Sequence, residues 1–132
     1  GVVTLKNYGE TKIKIRVAAS GNYKAAEKTI TLTVKPVKAK TGSLKSTAKG
    51  SFALKWKQDK KATGYIIQYS TDKRFEKNVK STTVSSNRTT SKKIGKLKAG
   101  KKYYVRICSY KKSCGKNIKG AYSDVKTVIT KK

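Results

Sequence analysis

Leu97-Lys98-Ala99-Gly100-Lys101-Lys102-Tyr103-Tyr104-Val105-Arg106-Ile107 is the stretch that decides the fold. Its second half alternates. Tyr103, Val105 and Ile107 fall on one face of an extended chain, and Tyr104, Arg106 and Cys108 on the other. Side chains of a strand alternate with a period of two, so this is the pattern of a half-buried strand. Two earlier stretches repeat it. Phe52, Leu54 and Trp56 alternate with Ala53, Lys55 and Lys57, and Tyr65, Ile67 and Tyr69 alternate with Ile66, Gln68 and Ser70. The three inward sets predict the core of two stacked sheets. Lysines fall mainly on the opposite parity. A one-residue slip would bury several ammonium groups, so register is strongly specified.

Working outward, candidate strands lie at 44–47, 51–57, 64–70, 79–84, 89–94, 102–111 and 122–130. Glycines and polar clusters separate them at fairly even spacing, as in a β-sandwich. Helix signals are nearly absent; residues 71–75 offer one helical turn at most. The chain before Pro36, the only proline, reads differently. Ile13, Ile15 and Val17 alternate with Lys12, Lys14 and Arg16, and Ile30, Leu32 and Val34 alternate with threonines. The first residues look like a further short strand. Residues 1–36 thus offer about three strands with one apolar face, which needs a partner sheet. The expectation is all-β: residues 37–132 a complete seven-stranded sandwich, residues 1–36 the C-terminal part of another. An N-terminal extension packed on the second unit is the other reading of 1–36.

Composition narrows the function. The 132 residues hold 34 Lys and Arg, only four of them Arg, against six Asp and Glu, for a net charge of +28. There is no His and no Met, and there are two Cys. Without His the commonest general base and metal ligand is missing. Six scattered carboxylates make a two-carboxylate acid/base site improbable. Two cysteines cannot complete a four-ligand zinc site. No apolar run approaches the ~20 residues of a membrane-spanning helix, and residues 1–17 lack the look of a signal peptide. The expectation is no enzyme, no cofactor, no metal and no membrane insertion.

The second unit resembles the fibronectin type III family. Trp56, the stretch Gly64-Tyr65-Ile66-Ile67-Gln68-Tyr69-Ser70 and above all the opening stretch carry the likeness. The family pattern there is Leu-x-Pro-Gly-x-x-Tyr-x-Val-x-Val, with Ala99 in place of Pro. The resemblance implies that Trp56, Tyr65, Leu97 and Tyr103 are structural core, with the Tyr103 hydroxyl bonded to nearby backbone as a tyrosine corner. Lys92 stands where the family often has an apolar residue. The first unit resembles, more weakly, the end of a bacterial immunoglobulin-like domain of group 2, through Gly9, Ile15, Val17, Ala18, Ala19, Gly21, Tyr23 and the 29–34 run. Both families usually occur as serial modules of secreted or wall-anchored proteins. The lysine-rich style is similar to surface proteins of Gram-positive bacteria. An extracellular, cell-surface or secreted location is implied, with neighbouring domains of the same parent protein as partners.

Cys108 and Cys114 either form a bridge across a hairpin or are two unrelated thiols; an even count in a secreted module favours the bridge. Residues 37–132 carry 27 cations against four anions. A field of that size attracts polyanions, so anionic cell-wall or host glycans are candidate partners. Lys111, Lys112, Lys116 and Lys119 are candidate contacts. The competing reading is a solvated coat that keeps the module soluble. Four Arg are a poor supply for base readout, so specific nucleic-acid binding is not expected. Tyr104, Tyr110 and Tyr122 make a candidate stacking strip for sugar rings, or merely cover a sheet face. Asn87-Arg88-Thr89 matches the N-glycosylation pattern and is read as chance. The leading expectation is a non-catalytic spacer or adhesion module of a multidomain protein. The alternative is a polyanion- or carbohydrate-binding accessory module of a secreted hydrolase.

Overall fold

The computed structural model describes residue 2 and residues 4–132, and among them the regular structure is all strand. Strands β1 (Gly9–Val17) and β2 (Ala26–Val34) form an antiparallel hairpin with Ile13 opposite Ile30. This register gathers Ile13, Ile15, Val17, Ile30, Leu32 and Val34 on one face. The other face carries Lys14 and Arg16, which grip Glu27 at 2.7 and 2.9 Å. The turn side closes with reciprocal backbone bonds between Ser20 and Tyr23. Two of the about three expected strands are therefore present. Residues 4–6 of the expected first strand are not in a sheet, and Gly1 and Val3 lie outside the described residues.

The rest is a sandwich. One sheet has the order β3 (Thr41–Ala48), β4 (Ser51–Trp56), β7 (Ser91–Ile94). The other has the order β10 (Lys126–Ile129), β8 (Lys102–Ser113), β5 (Gly64–Ser70), β6 (Lys80–Val84), with β9 (Lys116–Lys119) also paired to β8. All nine residues of the three inward sets are buried, and Ala39, Val84, Ile94 and Val128 complete the core. Phe52, Tyr69 and Tyr103 meet as tilted and edge-on rings at 5.8 to 6.5 Å, and Trp56 meets Tyr65 at 5.3 Å. Such geometries suit the ring quadrupoles.

Tyr103 is a tyrosine corner. The Lys98 N–H donates to its hydroxyl at 3.1 Å, and Leu97 packs against the core. The turn before β4 needs Gly50: its φ is 56°, and a Cβ there would strike the Leu97 carbonyl. Lys92 does fall on the inward parity, opposite Leu54. It stays exposed because β7 is an edge strand, where a long stem reaches water.

Two expectations change. The final strand expected at 122–130 is shortened to β10, and β9 is an eighth strand beyond the expected seven; β9 and β10 share one edge of β8, separated by residues 120–125. Ser123 spans the gap, its N–H donating to the Ile107 carbonyl at 2.7 Å and its hydroxyl accepting from the Ile107 N–H at 3.1 Å. The 71–75 stretch makes turns, not a helical turn. Asp72 organises them, its carboxylate accepting from the N–H groups of Arg74, Glu76 and Lys77. Those bonds hold its carboxyl below the usual aspartate range.

Candidate functional site

The outer face of the β8 sheet holds the expected tyrosines. By register Tyr104, Arg106, Cys108 and Tyr110 share it. Tyr110 is only 5% exposed and clusters with Ile66, Cys108 and Tyr122. Tyr104 lies six residues away, half-buried. Between them the Arg106 guanidinium is sandwiched by the Phe75 and Tyr122 rings at 4.1 and 4.2 Å. It also donates twice to Gln68 Oε1, at 3.0 and 2.9 Å. Phe75 reaches this place from the loop that Asp72 shapes, at a φ of 58°. Each cation–π contact of this kind adds about 0.5–1 kcal/mol. Tyr104, Tyr110 and Tyr122 therefore do not make a continuous open strip: two of them cover the sheet, and the arginine takes the exposed ring face.

The disulfide expectation is corrected. Cys108 and Cys114 are both free thiols, one buried and one exposed. The reason is strand length. β8 continues past Cys108 to Ser113, and Cys114 sits in the tight turn to β9 with a φ of 49°. Six extended residues span roughly 20 Å, whereas bridged Cα atoms lie within about 7 Å. Burial pushes the Cys108 thiol pKa up, and burial raises that of the Tyr122 hydroxyl beside it.

The β8–β9 hairpin divides the four expected lysines. Tyr110 pairs with Lys119 and Lys112 with Asn117, which puts Lys112 and Lys119 on one face. Lys111 pairs with Ile118 and Ser113 with Lys116, which puts Lys111 and Lys116 on the other. Lys112, Lys116 and Lys119 are exposed, but no single surface gathers all four.

A different group of lysines does converge. Residues 37–40, which lead into β3, lie beside the β4–β5 loop, because the Lys57 N–H donates to the Lys40 carbonyl at 2.9 Å. Between these segments is a cleft of about 390 Å³ with Lys38, Lys40, Lys57, Lys60 and Lys61 at its walls. The loop is firmly held. Tyr65, under the Trp56 ring, accepts from the Asp59 N–H at 2.7 Å and donates to the Asn87 carbonyl at 3.0 Å. Asn87 Nδ2 in turn donates to the carbonyls of Lys60 and Ala62. Asn87 is thus a half-buried strut, which agrees with reading its glycosylation pattern as chance. The cleft did not stand out in the sequence, and Asn87 stood out only for its glycosylation pattern. The cleft lysines are spaced from 38 to 61 in a chain where lysine is everywhere. No group of three or more His, Cys, Asp or Glu that could hold a metal occurs among the described residues.

The fold can be compared with known proteins on this basis. A family model described as "Fibronectin type III domain" matches residues 35–121. The chain belongs to the fibronectin type III family. No curated protein sequence matches it. Among solved structures it is similar to the FN1–FN3 domains of chicken CNTN1, at 19% identity and a TM-score of 0.66, over 98% of this chain and 45% of that one. It therefore spans less than half the length of that relative. The fn3 domain of human contactin 1 matches at 20% identity and a TM-score of 0.62, over 76% of this chain and 82% of that one. A structure described as a myokine matches at 14% identity and a TM-score of 0.59, over 74% of this chain and all of that one. At these identities the likeness shows the fold alone. Fibronectin type III domains are typically non-catalytic, surface-exposed modules of multidomain proteins. No helix among the described residues is long and apolar enough to cross a membrane.

Proposed function

We propose that this fibronectin type III chain is a non-catalytic extracellular spacer and adhesion module within a larger surface or secreted protein, of the lysine-rich kind found in Gram-positive bacteria. On this reading residues 1–36 belong to a preceding immunoglobulin-like domain, of which β1 and β2 are the closing hairpin. Residues 37–132 are the fibronectin type III domain. The observation that carries the reading is the way the first unit is fastened to the second. Pro36 is buried, and Gly120 lies so close that a Cβ there would strike the Pro36 carbonyl. The Glu10 N–H donates to Ser113 Oγ at 3.1 Å at the tip of β8. Units with a small interface move relative to one another by default, so these contacts are what would fix the direction of the hairpin against the sandwich, which is what a spacer requires.

Small-angle X-ray scattering of the chain tests this. The expected curve fits one arrangement of hairpin and sandwich, and Gly120→Val broadens it to a larger radius of gyration. If the unaltered chain already scatters as two freely jointed parts, the spacer reading fails.

The accessory-module reading keeps one observation in its favour, the lysine-walled cleft. The four hairpin lysines are split between two faces and give it less support.

A further inference from the structure

We infer that the cleft between residues 37–40 and the β4–β5 loop is a binding site for an acidic sugar, a sulfated or uronate-bearing unit of a glycan. The inference deepens the adhesion half of the reading above and rests on it for the source of the ligand. It does not depend on the rigidity of the joint.

Charge is the first argument. Five lysines wall the cleft, and Asp59 is the one carboxylate among its lining residues. Lys38 is engaged by Asp124 at 2.6 Å. Lys40, Lys57, Lys60 and Lys61 have no ion-pair partner among the described residues. Low-dielectric walls concentrate the field of such a group, so an anion is favoured there over the open surface. The cations are all ammonium groups, which act as point charges on flexible stems and suit the scattered anionic groups of a substituted sugar.

Size and polarity argue for a sugar rather than a bare oxyanion. A volume near 390 Å³ is much larger than a sulfate or phosphate requires. Part of the wall is apolar, from Val37 and Ala39, with the Tyr8 ring beside them. Two lining residues keep an oxygen buried and without a hydrogen-bond partner among the described residues: Asp59 Oδ2 and Ser109 Oγ. Buried polar atoms almost always have a partner. A carboxylate oxygen accepts only, so its partner is a donor, an ordered water or a ligand hydroxyl. Inorganic sulfate has no donor to give. A sugar hydroxyl has, and the same molecule carries the anionic group for the lysines.

Preorganisation is the third argument. Asp59 Oδ1 accepts from the Lys61 N–H at 3.1 Å, and the Tyr65 and Asn87 bonds fix the loop from below. A loop ordered before binding loses less entropy on binding.

The test must separate a site from the field of a chain with net charge +28. The probe is a sulfated heparin disaccharide, titrated at 150 mM NaCl into the ¹⁵N-labelled full chain and followed by NMR. Inorganic sulfate and a neutral disaccharide are run beside it. Shifts confined to residues 37–40, 57–61 and 109 are expected. The double variant Lys57→Gln/Lys61→Gln should weaken binding at least tenfold, and Lys112→Gln/Lys116→Gln, which removes the same charge at the hairpin tip, less than twofold. Asp59→Asn is the sharpest variant. Bulk electrostatics predicts tighter binding once the carboxylate is gone; an Asp59 that accepts a sugar hydroxyl predicts weaker binding. Shifts spread over all lysines, equal losses in the two double variants, tighter binding by Asp59→Asn, or no shift at 150 mM NaCl would each overturn the inference. So would equal binding by sulfate alone, which would mark a plain anion site, or by the neutral sugar. The scattering experiment can fail while this one succeeds, and the reverse.

Discussion

The β1–β2 hairpin and the β8 strand carry the same sequence signal and meet different fates. Ile13, Ile15 and Val17 alternate with cations as regularly as Tyr103, Val105 and Ile107 alternate with Tyr104 and Arg106. Yet Ile15 and Val17 are 47% and 59% exposed, whereas Val105 and Ile107 are completely buried. Alternation determines which residues share a face. It does not supply the sheet that covers that face. In the sandwich the β3-β4-β7 sheet lies across β8 and its neighbours, and both inner faces close on one core. Among the described residues the hairpin is tied to the sandwich at Ser113, with no second sheet across its apolar face, so its ladder and surface ion pairs must do most of the work. An isolated two-stranded ribbon is marginal on those terms.

The largest expected effect follows directly. Ile107→Ala removes buried methyl groups from a filled core and should destabilise the sandwich by about 2–5 kcal/mol. Ile15→Ala, the same chemical change on the uncovered face, should cost less than about 1 kcal/mol. Urea unfolding, followed by fluorescence of the core residue Trp56, reads the first; hydrogen exchange of the β1–β2 amides reads the second. A cost for Ile15→Ala that matches Ile107→Ala would break the comparison. In a longer chain that supplies the other strands of an immunoglobulin-like domain, the Ile15→Ala cost should rise toward the core value. If it stays small there, the assignment of residues 1–36 to such a domain is wrong.

Legibility in the sequence followed the same physics. The three inward triplets and the break at Pro36 were readable because each rests on a short-range rule, parity and one missing donor; the tyrosine corner was implied by the family resemblance. β9 was missed because Lys116-Asn117-Ile118-Lys119 has a single apolar residue and no alternation to see. Its partner is chosen by the turn at Cys114-Gly115, both at positive φ. Parity places Cys108 on the correct face, and the sequence leaves open whether the tyrosines cover that face or stand free on it. It is closed locally by Tyr122, which lies in the 120–125 break that no local pattern announces. The lysine cleft was invisible for a related reason. Its walls come from two segments some twenty residues apart, joined by a backbone bond between Lys57 and Lys40. In a chain with so many lysines, position in space distinguishes a few of them, and position in sequence does not.

A smaller effect separates the two regions by pH. The sandwich buries the Cys108 thiol, whose pKa is raised by that burial, while neither hairpin strand fully buries any residue. An unfolded thiol ionises near ~8.5. With the folded pKa higher, the Cys108 contribution is complete below that value and is lost as pH rises through it toward the folded pKa. The loss can be at most about 1.4 kcal/mol per pH unit for one proton. Urea midpoints should therefore fall between pH 8 and pH 9.5 in the native chain and fall less in Cys108→Ala. A thiol reagent at pH 8 should label Cys114 at once and Cys108 only on unfolding. Equal alkaline slopes, or two fast thiols, would show that Tyr122 does not seal this face.

The smallest effect concerns what the hairpin has in place of a core. Glu27 sits opposite Arg16 and reaches both Arg16 and Lys14, its side chain 45% exposed. Exposed pairs of this kind contribute about 0–1 kcal/mol and weaken with salt. Glu27→Gln should raise hydrogen-exchange rates along β1 and β2 no more than a few-fold, and 0.5 M salt should shrink the difference. The sandwich amides should not respond at all, since nothing in their core depends on Glu27. If Glu27→Gln instead frees every β1–β2 amide to exchange at the unfolded rate, the ion pairs are holding a ribbon that the ladder alone cannot. The contrast with β8, where buried side chains hold the ladder closed, would then be sharper still.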